Sequence, residues 1–337
     1  MTPYISVIIT AYNRKDYLLD AFNSAINQTL DRKKYEIIVS QNFKYQKIDN
    51  FIKKNEGRLI YFEGGNIGKQ LIEAIKQSRG KIISFLDDDD LFEKNKLLTV
   101  YNIFNKNKNL GFLHNAAYYI NNNNRLLSAP LDKHVKNCKT ILTHNNITTL
   151  KLLRVEHDCI PVNMSRITIK KSLLLGFLNT LKKIHSSQDF FFYFVALASL
   201  PSSYLVFLDK KLTRFRVHES ASFSTNNYET FKNKICFNYE TFKKVCILLE
   251  GYIEDKRIKK YIEISMREGL IDYTFYSSNH RLVALSSYFK NFIYNFILNP
   301  RLTVLRGLQV VFYILAPEKF RRFNYLRVKR YFESIQK

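Results

Sequence analysis

Four consecutive carboxylates, Asp87 to Asp90, follow the apolar run "KIISFL". Like charges packed this closely repel one another and resist burial, so they must be well solvated or neutralised. A solvated turn is one reading, since Asp is common in turns. The other is a divalent-cation site, because Mg²⁺ and Mn²⁺ take carboxylate oxygens and bridge to substrate phosphates.

The surrounding text supplies elements to position these acids. "ISVIITAY", "YEIIVSQN", "LIYFEG" and "KIISFL" are short β-branched runs separated by segments of helical spacing. Such alternation predicts a mostly parallel sheet with helices on both faces. In "KDYLLDAFNSAINQTL" the apolar positions Leu18, Leu19, Phe22, Ile26 and Leu30 recur as one helix face requires. "IGKQLIEAIKQSRG" repeats the pattern, with Gly80 as its stop signal. Ligands of such sheets bind beyond the carboxyl ends of the strands. Asp87 to Asp90 lie at one such end, and Thr10 to Arg14 at another.

Further along, a helix near Glu93 to Asn105 precedes the strand "LGFLHNAAYYI" and the turn "NNNNR". Residues Leu131 to about Asn163 read as polar and irregular, a stretch in which a lid is conceivable. The uncharged run Phe190 to Leu208 is long enough to suggest a membrane span, but "LPSS" favours a buried helix, a turn and a buried strand. Beyond Asn226 nearly everything reads as helix.

Composition narrows the classes. The chain has 337 residues, 46% hydrophobic and 15% aromatic, which argues for a folded core rather than disorder. Fifty-three Lys and Arg against 29 Asp and Glu leave a formal charge of +24, which attracts nucleic acid, acidic membrane or phosphorylated small molecules. Cys138, Cys159, Cys236 and Cys246 form no CxxC pair, so neither a zinc site nor a disulfide framework is indicated. That usage suits a reducing cytoplasm, and the first residues lack the pattern of a secretion signal.

Four motifs in order, "SVIITAYNRKDYLLDAFNSAINQT", "GGNIGKQLIEAIKQSRGKIISFLDDDDLFEKNKL", "SSQDFFFYF" and "LTRFRVHESASFS", resemble those of the family 2 glycosyltransferases of the GT-A fold. The resemblance covers about Ile5 to Ser224. It implies a GT-A, Rossmann-like sheet in residues 1–225, split into a nucleotide-binding half (1–105) and an acceptor-binding half (106–225), followed by a helical region (226–337). The implied activity is metal-dependent, inverting transfer of a sugar from a nucleotide-sugar of UDP, GDP or dTDP type. The acceptor would be a hydroxyl of a glycan or lipid-linked molecule, in surface polysaccharide or glycoconjugate assembly.

By the same resemblance, Asp89, Asp87 and Asp90 hold Mn²⁺ or Mg²⁺, Asp89 most directly, with His218 as a further contact to metal or diphosphate. Asp88 touches the ribose or water. Asp189 is the general base, although "SSQD" would also cap a helix. Thr10, Ala11, Tyr12, Asn13 and Arg14 form the first nucleotide loop, and Asn66 and Gly68 complete the cradle. Arg216 or Arg214 pairs with phosphate through its guanidinium fork. Gln41 stands where the family usually carries an acid that reads the base, and Gln188 where it often shows Glu; an amide still offers a donor and an acceptor.

From Arg281 to Lys337 there are eleven Lys or Arg, two acids and many aromatics, read as two helices broken by Pro300 and ended near Pro317. Its charge-free runs are too short to cross a bilayer. Basic, aromatic helices lie in the membrane interface, which implies a peripheral position on the cytoplasmic face. The competing reading packs those aromatics on the catalytic core. A sugar nucleotidyltransferase is disfavoured because "TAYNRKDY" lacks a phosphate-loop glycine. Nucleic acid is not an expected partner, since four clustered acids oppose a polyanion. A degenerate transferase retained for binding anionic membrane or nucleic acid is the remaining alternative.

Overall fold

The computed structural model describes residues 2–127, 140–159, 163–217, 227–277 and 280–336. The β-branched runs form β1 (Ile5–Ala11), β2 (Tyr35–Gln41), β3 (Arg58–Tyr61) and β4 (Ile82–Asp87). Between them lie α1 (Leu18–Ile26), α2 (Gln46–Lys54) and α3 (Ile67–Gln77). Next come β5 (Leu91–Phe92), α4 (Lys96–Lys106), β6 (Leu110–Ile120), β7 (Thr140–Leu142) and α5 (Thr149–Cys159). Then follow β8 (Ile167–Lys170), α6 (Lys171–Leu175), α7 (Leu178–Leu181), α8 (Gln188–Ala198) and β9 (Tyr204–Arg216).

These strands make one sheet in the order β3-β2-β1-β4-β8-β6-β9-β5, with β7 on β9. Strands β1 to β4 are mutually parallel, and β8 runs antiparallel to both of its neighbours. Alternation along the strands builds two cores, as period-2 side-chain placement demands. Val7, Ile9, Ile37 and Val39 pack beneath α1, α2 and α4, whereas Ile8, Ile38, Ile83 and Phe85 face α3 and α8.

Helix α8 is apolar all round, and Phe191 to Leu197 are fully buried, as expected of a helix enclosed on every side. Phe192 stacks on Phe85 with ring centroids 4.6 Å apart. The uncharged run is thus a buried helix, a turn and a strand, as its "LPSS" suggests. Among the described residues no helix is long and apolar enough to cross a membrane.

Three expectations change. The stretch read as irregular around "HNNITTL" contains α5, stabilised from outside itself: Ser265 donates to Glu156 at 2.6 Å. Gly80 is not the cap of α3, which ends at Ser78; a Cβ at position 80 would lie 2.5 Å from the Ser6 nitrogen, so glycine permits a close crossing of β1. Beyond α9 (Tyr228–Glu250) and α10 (Lys256–Ser277), the pair expected on either side of Pro300 is present as α11 (Arg281–Leu298) and α12 (Pro300–Leu315), and a further helix, α13 (Pro317–Gln336), follows it. Pro300 and Pro317 each open a helix, where a missing N–H costs nothing.

Helices α9 and α10 share the core of α8 through Val245, Leu249, Ile258 and Tyr261, so the proposed boundary at 225 does not separate two hydrophobic cores. A second helical core, with Phe275, Tyr288, Tyr313 and Phe320, gathers α10 to α13.

Candidate active site

The acid run lies where the parallel strands end. Asp87 closes β4 opposite Thr10 of β1, and the Asp90 N–H donates back to the Asp87 carbonyl at 3.2 Å, folding the run into a turn. The turn aims the four side chains apart. Asp88, 4% exposed, and Asp89 both pair with Arg14; the Arg14–Asp89 contact is 2.5 Å. Asp90, fully buried, accepts from the Arg216 backbone N–H at 2.9 Å and from Asn163 Nδ2 at 2.9 Å. Asp87 has a longer contact with the same amide, 3.4 Å.

Burial raises the pKa of Asp87, Asp88 and Asp90, and the neighbouring carboxylates raise that of Asp87 further. Burial also works against the Arg14 charge, but Asp88 and Asp89 outweigh it and hold the guanidinium protonated. Beneath the turn, buried Lys96 donates to the Ser165 carbonyl and to Thr213 Oγ1, the latter at 3.0 Å. Burial lowers its pKa, against the pull of Asp90.

Asp189 sits in the first turn of α8 and is not its cap. Ser187 holds the cap position with φ 62° and makes no capping bond. One Asp189 oxygen accepts the Phe190 N–H at 2.9 Å, the other the Asn163 N–H at 2.8 Å. Burial raises its pKa against these bonds. Asn163 therefore joins Asp189 to the acid turn, its backbone on Asp189 and its side chain on Asp90. It adopts φ 82°, a conformation in which Asn is tolerated better than most residues. Asn163 and Lys96 were not among the expected residues, and only the positive-φ tolerance of Asn offered a signal.

The first loop lies at the carboxyl end of β1. Ala11 is buried, Thr10 partly so, and Tyr12 is 43% exposed. The Asn13 N–H donates to Asn42 Oδ1 at 2.8 Å, and Asn42 returns a bond to Asn13 Oδ1 at 2.7 Å, tying the β1 and β2 loops together. Tyr45 and Tyr61 stand on the same rim, under Lys15 and Lys44 at 4.3 and 5.3 Å.

Several expected contacts are placed elsewhere. Gln41 is fully buried, and its Nε2 donates to the Phe43 carbonyl and to Asp49 Oδ1, both at 2.8 Å. Its amide is turned into the protein, and the carboxylate behind it comes from α2. Asn66 caps α3 and reaches the Lys182 carbonyl at 3.0 Å. Gly68 donates to the Ile184 carbonyl at 3.2 Å, so both residues brace the segment before α8 rather than an open cradle. Arg216 is likewise no free phosphate fork. Its guanidinium is buried and donates to the carbonyls of Asp89 (2.7 Å) and Asn121 (2.9 Å) and to Asn124 Oδ1 (2.6 Å). Arg214 is held by Glu93 at 2.5 Å. His218 lies outside the described residues.

Among the described residues no three His, Cys, Asp or Glu side chains are arranged to hold a metal ion. The donor chemistry still fits a cation that takes one or two carboxylates and completes its shell with water and phosphate, since Asp87 pairs with no Lys or Arg among those residues.

An α/β sheet of this order, with acids at the end of β4 and a carboxylate on the following buried helix, defines a GT-A-type fold. The model of glycosyl transferase family 2 matches residues 6–160 of this chain. A glycosyltransferase of Rickettsia bellii is 35% identical over 129 residues, 37% of this chain and 18% of that protein. A poly(ribitol-phosphate) beta-glucosyltransferase of Bacillus spizizenii is 31% identical over 111 residues, 31% of this chain and 18% of that protein. The match thus spans less than a fifth of either relative. S. aureus TarS 1-349, crystallised with UDP-GlcNAc, superposes with a TM-score of 0.57 at 17% identity, covering 98% of this chain and 92% of that one.

Proposed function

We propose that this protein is an inverting glycosyltransferase that moves a sugar from a nucleoside-diphosphate donor to an acceptor hydroxyl. The observation that carries the reading is the bridge from Asp90 through Asn163 to Asp189, which holds the Asp189 carboxylate beside an acid turn at the carboxyl end of β4.

Asp189 accepts the acceptor hydroxyl proton as that oxygen attacks the anomeric carbon. The bond from that carbon to the phosphate oxygen breaks, and the nucleoside diphosphate leaves from the opposite face. A raised pKa suits a carboxylate to this task, because it gains basicity. Asp89, with Asp87 or Asp90, would hold Mn²⁺ or Mg²⁺, whose charge offsets that building on the diphosphate. Arg14 pairs with Asp88 and Asp89 and orients them before the donor arrives. The Tyr12, Tyr45 and Tyr61 rim offers aromatic faces to a base.

A uridine donor is favoured because TarS was crystallised with UDP-GlcNAc and with UDP. The relative named for poly(ribitol-phosphate) points to a polyol-phosphate or related surface polymer as acceptor. The basic C-terminal region would rest on the cytoplasmic face of the membrane, where lipid-linked acceptors are presented.

Thermal denaturation with UDP, GDP and dTDP, each with and without Mn²⁺, tests the reading, since a ligand of the folded state alone raises Tm. A rise that needs both UDP and metal and disappears in Asp89→Ala is expected. No rise with any pair would overturn it.

A further inference from the structure

We propose that the outward face of the α11–α12 hairpin docks on an anionic lipid bilayer. This rests only on the peripheral placement above and not on the transferase chemistry. The two helices fold back on one another: Arg281 Nη1 donates to the Ile314 carbonyl at 2.9 Å, and Tyr288 OH to the Thr303 carbonyl at 3.2 Å. Gly307 lets them close, because a Cβ there would lie 2.6 Å from that hydroxyl.

The aromatics that suggested membrane contact are divided by this packing. Tyr288, Tyr313 and Phe320 are core, so the tail is partly the packed helical unit of the competing reading. What remains outside is largely aliphatic and periodic. Leu282, Phe289, Ile293 and Phe296 recur along α11 at helical spacing and are 43 to 78% exposed. Val304, Leu308, Val311 and Leu315 do the same on α12, 48 to 77% exposed. Most of the exposed large apolar side chains among the described residues lie on α11 to α13. A contiguous apolar face of this kind marks an interaction site.

Charge selects the occupant. No acid occurs from Arg281 to Pro317. Lys290, Arg301, Lys319 and Arg322 are exposed around the face and make no ion pair among the described residues. A second copy would bring like charges together, whereas an anionic bilayer complements them and accepts the leucines between its headgroups. Beside the face, a cavity of about 730 Å³ offers Leu302, Leu305, Phe312 and Phe323 to an acyl chain, with Glu268 and Arg306 also in its walls.

Co-sedimentation of the full chain with phosphatidylcholine vesicles, with and without phosphatidylglycerol, tests the face. Binding is expected only with phosphatidylglycerol, falling as salt rises. Ile293→Asp with Leu308→Asp should reduce it at least about tenfold, and each of Lys290→Ala and Arg301→Ala about fivefold. An unchanged circular dichroism spectrum controls for folding, and the nucleotide-dependent Tm rise reports separately on the transferase reading. Vesicle binding that is absent, or indifferent to these substitutions, overturns the proposal. So does light scattering that finds a dimer which the aspartates dissolve, for then the face belongs to a second copy.

Discussion

Two regions depart from the usual partition of polar and apolar groups, in opposite directions. At the end of β4 the chain draws carboxylates inward, with Asp88 and Asp90 buried; on the α11–α12 hairpin it leaves Leu282, Ile293 and Leu315 in water. Each arrangement costs the isolated protein stability, by desolvation in the first and by unburied apolar area in the second. Stability alone would select against both, which is why we propose a cation for the one and a bilayer for the other.

Substitutions can break or sharpen this contrast. The largest effect is expected from Asp189→Asn, which removes the proton acceptor and should lower kcat by about 10²–10⁴ with the fold retained; steady-state transfer assays check it. Paired truncations come next. Ile9→Ala beneath α1 should cost about 2–5 kcal/mol in urea denaturation, whereas Ile293→Ala, the same deletion on the exposed stripe, should stay within about 0.5 kcal/mol. Equal costs would collapse the contrast between the regions.

Asn163→Gly keeps the positive φ and the backbone bond to Asp189 but removes the amide from Asp90. Leaving that buried carboxylate with one bond fewer should cost about 1–3 kcal/mol. Turnover should fall more than KM changes, an asymmetry that a purely structural role would not produce.

The smallest effect concerns acid stability. Burial disfavours ionised Glu36, but bonds from Arg79 and Ser6 and the charge of Arg58 outweigh it, so its pKa is lowered. A lowered native pKa contributes stability above the unfolded value that is lost as pH falls through the native one. Glu36→Gln should therefore flatten the acid limb of Tm against pH and leave the alkaline limb unchanged.

Much of this was legible in order along the chain. Strands β1, β2 and β4 fall on the β-branched runs to within a residue, and β3 ends three residues before its run does, because their alternation is a local property. The acid turn was visible for the same reason. Helix α5 was not, since its polar surroundings hide an apolar face that becomes meaningful only against α10. Asn163 and Lys96 owe their places to partners far away in sequence: Asp90 is 73 residues from Asn163, and Thr213 is 117 from Lys96. Arg216 shows the reverse case, a residue type suited to phosphate that the fold spends on three backbone carbonyls and an amide.

Gly68 has a consequence of its own. A Cβ there would stand 2.1 Å from the Leu181 carbonyl oxygen and 2.5 Å from that of Ile184, both backbone atoms that cannot rotate aside. One methyl at position 68 would act as a wedge under the segment leading to α8, and Asp189 would move with it. The placement of Asp189 is thus set in part from α3, through backbone contacts that any side chain at position 68 would disturb.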